Sequence, residues 1–264
     1  AGQRKGFEET RGTLIFDVFR VLNHHKPKTF LLENVKGLLS HNKGKTFEYI
    51  LNVLREMGYL VSYQVLNSKD FGVPQKRERV FIVGFLDFET HFKFLFPRPL
   101  GVKTCVNDIL EDDVDEKYFL SDETIKYHLK RKEDNKLKGN GFGASFLTPC
   151  DYTTNTISAR YGKDGSEALL QVATVNKSQS GRIYSPDGLG VTVKALGGGM
   201  GARTGLYEVG SRVRRLTPRE CFRLQGFPDT FKLPCSDTQS YRQAGNSVSI
   251  PVIKAIMNEI KIAL

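Results

Sequence analysis

Three short stretches hold side chains whose types and spacing could do chemistry. In LLENV, residues 31–35, a run of apolar residues ends in Glu33 and Asn34. Ligands of parallel α/β sheets bind beyond the carboxyl ends of the strands, so a carboxylate there is well placed. In GVPQKRERVFIVGF, residues 72–85, a Gly-Val-Pro turn is followed by Arg77 and Arg79, one residue apart. Alternation along an extended segment puts both on one face, where guanidinium groups can hold a carbonyl or a phosphate. GNSV, residues 245–248, is the third. Taken singly, each has an ordinary reading: a helix-capping or surface glutamate, surface charges, and a Gly-Asn turn.

Other stretches suggest less. Cys105, Cys150, Cys221 and Cys235 form no C-x-x-C pair and lack nearby histidines at ligand spacing, so neither a zinc site nor a disulfide framework is expected. The glycine run at 197–201 (broken by Met200) precedes no helical pattern, which excludes a nucleotide-binding loop.

The elements that must position these residues can be read from periodicity. Leu14, Ile15, Val18 and Leu22 form a helical stripe, and KTFLLENV follows as a strand. Phe47, Ile50, Leu51, Leu54 and Met57 make an amphipathic helix closed by Gly58, with strands at YLVSYQVLN and RVFIVGF beyond it. Helices alternating with short apolar strands imply an α/β layer with a largely parallel sheet. From about Pro97 to Arg215 the chain changes character, with the acidic EDDVDE, a lysine-rich stretch and glycine-punctuated segments. That composition implies a small β-rich domain with long loops. In LTPRECFRLQGFP, Thr217 can cap a helix, Pro218 suits its first turn, and Glu220 completes a capping box. Ile250, Ile253, Ile256, Ile260 and Leu264 then share one face of a final helix, where the chain is expected to return to the first domain.

The whole chain has 264 residues, enough for one large or two modest domains. Its 39 Lys and Arg against 29 Asp and Glu give a net charge of +10, which favours a polyanionic partner because phosphate neutralisation releases counterions. No apolar run approaches the ~20 residues that span a bilayer, and the N-terminus lacks a signal-peptide core, so no membrane partner and a cytoplasmic location are expected.

In combination the motifs become specific. LLENVKGL, DFGVPQKRERVFIVGF, RRLTPRECFRLQGFPDTF and YRQAGNSVSIPV occur in that order, with a variable basic region before the third. The series resembles the DNA cytosine-5 methyltransferases of bacterial restriction–modification systems, over nearly the whole chain. The resemblance implies part of a Rossmann-like S-adenosylmethionine-dependent catalytic domain, residues 1–99 and 216–264, and a smaller β-rich target-recognition domain, residues 100–215. In that family a cysteine attacks C6 of a cytosine flipped out of the duplex, and C5 takes the methyl group of S-adenosylmethionine. Glu33 matches the carboxyl group that bridges the exocyclic amine and N3 of the base. Arg77 and Arg79 match the arginines of the Gln-x-Arg-x-Arg block, whose first member is Gln75. Asn246, Ser247 and Val248 match the block that completes the cofactor pocket. Gln179, Arg182, Thr192, Gly197, Gly198 and Gly199 lie in segments similar to recognition loops for duplex DNA, and Arg4 and Lys5 in one similar to the mobile loop that closes on it.

The family's glycine-rich cofactor loop and Pro-Cys block have no counterpart here. Pro149-Cys150 lies inside the variable region and lacks the residues expected after it. The resemblance therefore implies a chain that starts just downstream of the catalytic cysteine. Activity is expected to require an upstream segment or a partner subunit that supplies it. Two alternatives stay open: a non-enzymatic, sequence-specific DNA-binding module, and a tRNA cytosine-5 methyltransferase.

Overall fold

The computed structural model describes residues 14–140, 143–147, 151–173, 183–184, 206–207 and 211–264. They group into two compact units. The first comprises the described residues up to Thr104 with Leu224–Phe227 and Val248–Leu264; the second comprises Cys105–Arg223 and Pro228–Ser247.

The first unit begins with α1 (Leu14–His25), β1 (Thr29–Val35), α2 (Lys45–Glu56), β2 (Leu60–Asn67), β3 (Glu78–Phe85) and α3 (Phe88–Lys93). The stripe of α2 is the one its spacing predicts: Phe47, Ile50, Leu51 and Leu54 are buried. Gly58, at φ +91°, ends it in the left-handed conformation that glycine adopts without strain. In α1 the buried pair is Phe19 and Leu22, and Leu14 is exposed.

The sheet order is β1–β3–β2, and β3 runs antiparallel to both neighbours. The expected largely parallel sheet is therefore corrected for these strands. Between β2 and β3 the chain holds only a short 3-10 turn, Ser68–Phe71, and the Gly-Val-Pro segment. A parallel return needs a crossover of a dozen or more residues, usually helical, so β3 folds straight back beside β2. The α2 crossover does leave β1 and β2 pointing the same way, with β3 between them. As the central strand, β3 buries both faces, which explains its unbroken apolar run. Val80 and Ile82 join the core beneath α1 and α2; Phe81, Val83 and Phe85 join the core on the opposite face. Gly84 is a packing requirement, because a Cβ there would meet the Phe30 ring at 2.2 Å.

The second unit contains α4 (Asp122–Leu137), β4 (Phe146–Leu147), α5 (Tyr161–Asp164), β5 (Leu169–Ala173), the two-residue β6 (Ile183–Tyr184) and β7 (Leu206–Tyr207), β8 (Ser211–Arg215), α6 (Pro218–Arg223) and α7 (Asp237–Asn246). β5 pairs with β4 in parallel and with β8 antiparallel. The lysine-rich stretch is helical as far as Leu137: Ser121 Oγ caps α4 by accepting from Thr124 N, and of α4's residues only His128 is buried. At α6 the capping box forms as its sequence predicts. Thr217 Oγ1 accepts from Glu220 N at 3.2 Å, and Glu220 accepts from Thr217 N at 2.8 Å. Glu220 has a second task. Its two oxygens take a bidentate fork from Arg214 at 2.7 Å each and a further hydrogen bond from Glu111 N at 2.9 Å. Tyr161 receives Leu216 N on its hydroxyl, and the Tyr241 hydroxyl donates to Leu216 O. These bonds hold α6 and α7 within the second unit, and by packing the chain rejoins the first unit at 224–227 and after 247.

The first unit closes with α8 (Ile250–Ala263). Its buried stripe is Val252, Ile256, Ile260 and Ala263; Ile253 is partly covered and Leu264 exposed, a face rotated from the predicted one. Among the described residues no helix is long and apolar enough to cross a membrane.

Candidate active site

Glu33 and Arg79 sit on adjacent strands. The register sets Glu33 opposite Phe81, so Arg79, two residues away on β3, is its diagonal neighbour on the same face. The side chains meet: Arg79 Nε lies 3.1 Å from Glu33 Oε1, and Arg79 Nη1 donates to Glu78 O at 2.8 Å. Both keep some access to solvent, at 23% exposure for the Glu33 side chain and 16% for Arg79. The carboxylate thus stands at the carboxyl end of β1, positioned but not sealed. Burial lowers the Arg79 pKa, opposed by the charge and hydrogen bond of Glu33.

Arg77 is more deeply set, at 4% exposure. Burial, followed by the neighbouring Arg79 charge, pushes its pKa down to about 10, and the Glu33 charge acts in the other direction. Both arginines therefore lie within the electrostatic reach of the same carboxylate. The Arg77 backbone is fixed at both ends. Its N–H is held by Asn67 Oδ1 and Gln75 O, each at 3.1 Å, and its carbonyl accepts from Ser68 N at 3.1 Å. Gly72, at φ +89°, allows the turn that leads into this segment. Outside the cluster, Lys36 Nζ bonds both Glu78 oxygens at 3.2 Å.

Such a group can grip a polar ring edge. A carboxylate accepts from an amine, while a guanidinium donates to a carbonyl oxygen or an anionic group. The contribution of Asn67, which holds the Arg77 N–H, carries only a faint signal in the sequence, as an amide at the end of a strand.

The GNSV residues divide between the units. Asn246 is the exposed last residue of α7. Ser247 Oγ donates to Ala244 O at 2.8 Å and ends that helix. Val248 opens the return to the first unit with 37% of its surface exposed. Gly245 admits no side chain, because a Cβ would come within 2.4 Å of the Ser158–Ala159 backbone. Arg4, Lys5, Cys150, Gln179, Arg182, Thr192, Gly197, Gly198 and Gly199 lie outside the described residues.

Comparison with known proteins agrees with the motifs. The sequence profile of the C-5 cytosine-specific DNA methylases matches residues 1–262. The chain is 47% identical over 262 residues to the Type II methyltransferase M.SsoII of Shigella sonnei, covering 98% of this chain and 60% of that protein. It is 45% identical over 264 residues to the Type II methyltransferase M.NlaX of Neisseria lactamica, covering 100% and 72%. The chain therefore spans between three fifths and three quarters of the length of these relatives. In fold it resembles the Entamoeba histolytica methyltransferase EhMeth, with a TM-score of 0.70 at 20% identity over 98% of this chain and 71% of that one. It also resembles the S. pombe Dnmt2 methyltransferase, with a TM-score of 0.66 at 18% identity over 97% and 74%. With the profile matched almost from end to end and relatives 45–47% identical over the chain, the chain belongs to the C-5 cytosine-specific DNA methylase family.

Proposed function

We propose that this chain carries the base-holding part and the target-recognition region of a Type II enzyme that methylates C5 of a cytosine flipped out of a specific duplex DNA sequence. The observation that carries the reading is the Glu33–Arg79 ion pair, with Arg77 beside it, at the carboxyl end of β1 in a chain of the C-5 methylase family. An extruded base exposes its Watson–Crick edge, and a pocket must hydrogen-bond that edge to recover part of the unstacking cost. Glu33 accepts from the exocyclic amine and shares a proton with N3, which places positive charge on the ring and makes C6 more electrophilic. Arg79 orients Glu33, and the two guanidinium groups hold the base carbonyl and the adjacent phosphate.

S-adenosylmethionine supplies the methyl group when bound. Asn246, Ser247 and Val248 complete its pocket: the exposed Asn246 amide and Val248 side chain suit its polar and apolar parts, and Ser247, whose Oγ bonds Ala244 O, holds the turn between them. Residues 1–99 and 216–264 act as the partial catalytic domain and 100–215 as the recognition domain. Within the latter, Gln179 and Arg182 contact bases, Thr192 a phosphate, and Gly197, Gly198 and Gly199 admit the DNA backbone closely; Arg4 and Lys5 contact phosphates. The attacking cysteine comes from an upstream segment or a partner subunit, and the enzyme works in the cytoplasm.

The test is methyl transfer from labelled S-adenosylmethionine to duplex DNA and to tRNA, by the chain alone and by the chain joined to the upstream segment its relatives carry. Transfer to DNA only when that segment is present is expected. Turnover by the chain alone removes the requirement, preference for tRNA changes the substrate, and DNA binding without transfer in either form leaves a recognition module.

A further inference from the structure

Two fully buried amides meet beside the segment that leads into Arg77. Gln75, two residues before Arg77, and Gln225, in the segment Leu224–Phe227, are each 0% exposed, and Gln225 Nε2 donates to Gln75 Oε1 at 3.3 Å. The pair is only half satisfied: Gln75 Nε2 and Gln225 Oε1 find no hydrogen-bond partner among the described residues. Apolar side chains of the same size would fill this space without stranding a buried donor and acceptor. The arrangement thus costs stability, and its value must lie in the geometry it imposes.

That geometry runs straight to Arg77. The Gln225 carbonyl accepts from Ile250 N, at the start of α8, at 2.9 Å. Gly226, at φ +80°, lies so close to Pro251 that a Cβ would be 2.4 Å from its ring, which seats the Gln225 segment firmly on α8. From Gln225 the side-chain bond passes to Gln75. The Gln75 backbone is itself held in a tight turn, with its N–H on Val73 O at 2.8 Å, and its carbonyl accepts the Arg77 N–H. A relay of hydrogen bonds therefore ties the N-terminal end of α8 to the residue that presents the Arg77 guanidinium.

We infer that Gln225, acting through Gln75, is a positioning residue that fixes the register of Arg77 in the base-holding cluster. The inference rests on the function proposed above and extends it to a residue that touches neither base nor cofactor. Its loss lets the 73–77 turn relax, and a displacement of an ångström at a catalytic group is enough to slow chemistry many-fold. Binding of DNA, which draws on many phosphate contacts, is left in place.

The experiment measures single-turnover methyl transfer at saturating DNA and S-adenosylmethionine, in the enzyme completed by its upstream segment. It compares Gln225→Met, Gln75→Met and the double variant, with melting curves and DNA affinity recorded for each. Each single is expected to slow transfer by about tenfold while DNA affinity and melting temperature hold or rise, and the double should be no slower than either single. Gln225→Asn, one methylene shorter and fully polar, should show the same loss and serves if a methionine variant does not fold. Wild-type rates in the singles, or losses that multiply in the double, overturn the coupling alone. An unsubstituted enzyme that transfers nothing overturns the functional reading and the inference with it.

Discussion

Replacing Glu220 by glutamine keeps the size of the side chain and removes its charge. The consequence can be worked from its partners. Four N–H groups converge on its two oxygens, two from Arg214 and one each from Glu111 and Thr217. The ion pair is closed to solvent, at 4% exposure for the Arg214 side chain and 0% for Glu220. A glutamine offers one acceptor oxygen and turns a donor toward the remaining groups. Breaking a buried pair from one side typically costs ~3–5 kcal/mol, because the other charge stays buried. The stranded amides add about 1–3 kcal/mol each, less than additively in so tight a network. A loss of at least about 4 kcal/mol is therefore expected, a large share of the roughly 5–15 kcal/mol that holds a domain folded. Urea unfolding followed by circular dichroism measures it. The variant Arg214→Met with Glu220→Leu removes both charges together and should be less destabilised than Glu220→Gln. A Glu220→Gln change below about 1 kcal/mol would refute the reasoning, since that is the scale of a solvent-screened pair.

Three further outcomes are expected. Gly245→Ala should destabilise the second unit by about 2–3 kcal/mol or more, because the new Cβ meets backbone rather than a flexible side chain; calorimetry checks it, and an unchanged melting temperature contradicts it. Arg77→Met should slow methyl transfer by about 10²–10³-fold, read in a single-turnover assay, and an unchanged rate contradicts its place in the cluster. Tyr118, pushed up to about 12 by burial and then by its hydrogen bond to Asp237, favours the folded state in its protonated form. That stability is full below the ordinary tyrosine value of about 10 and is lost as pH rises through about 12. Tyr118→Phe should remove this part of the alkaline decline, and identical pH profiles for the two proteins would contradict the assignment.

Local rules made part of the molecule legible. The α2 stripe and the Thr217–Glu220 capping box follow from spacing alone, because each depends on residues three or four apart. The arginine pair stood out by its spacing, but alternation describes residues within a strand, and Arg77 precedes β3. Long-range choices were less visible. Strand direction depended on what the short β2–β3 connection permits, and apolar content alone does not report that. Helix α4 was hidden because almost every side chain is polar and its cap at Ser121 lies outside the lysine-rich run. The second role of Glu220 and the Gln75–Gln225 bond join residues up to 150 positions apart, beyond any periodicity. Residues assigned to DNA recognition rested on resemblance to loops, where side-chain identity follows specificity rather than folding.

The most direct measurement is transfer of a labelled methyl group from S-adenosylmethionine to C5 of cytosine in duplex DNA by the completed enzyme, compared with its Glu33→Gln variant. Loss of the carboxyl group should reduce the single-turnover rate by about 10²–10³-fold, the scale seen when one preorganised electrostatic contact is removed. DNA affinity should remain within a small factor of the unsubstituted enzyme's. A Glu33→Gln enzyme that methylates at the original rate would contradict the assignment of the β1 carboxylate to the flipped base.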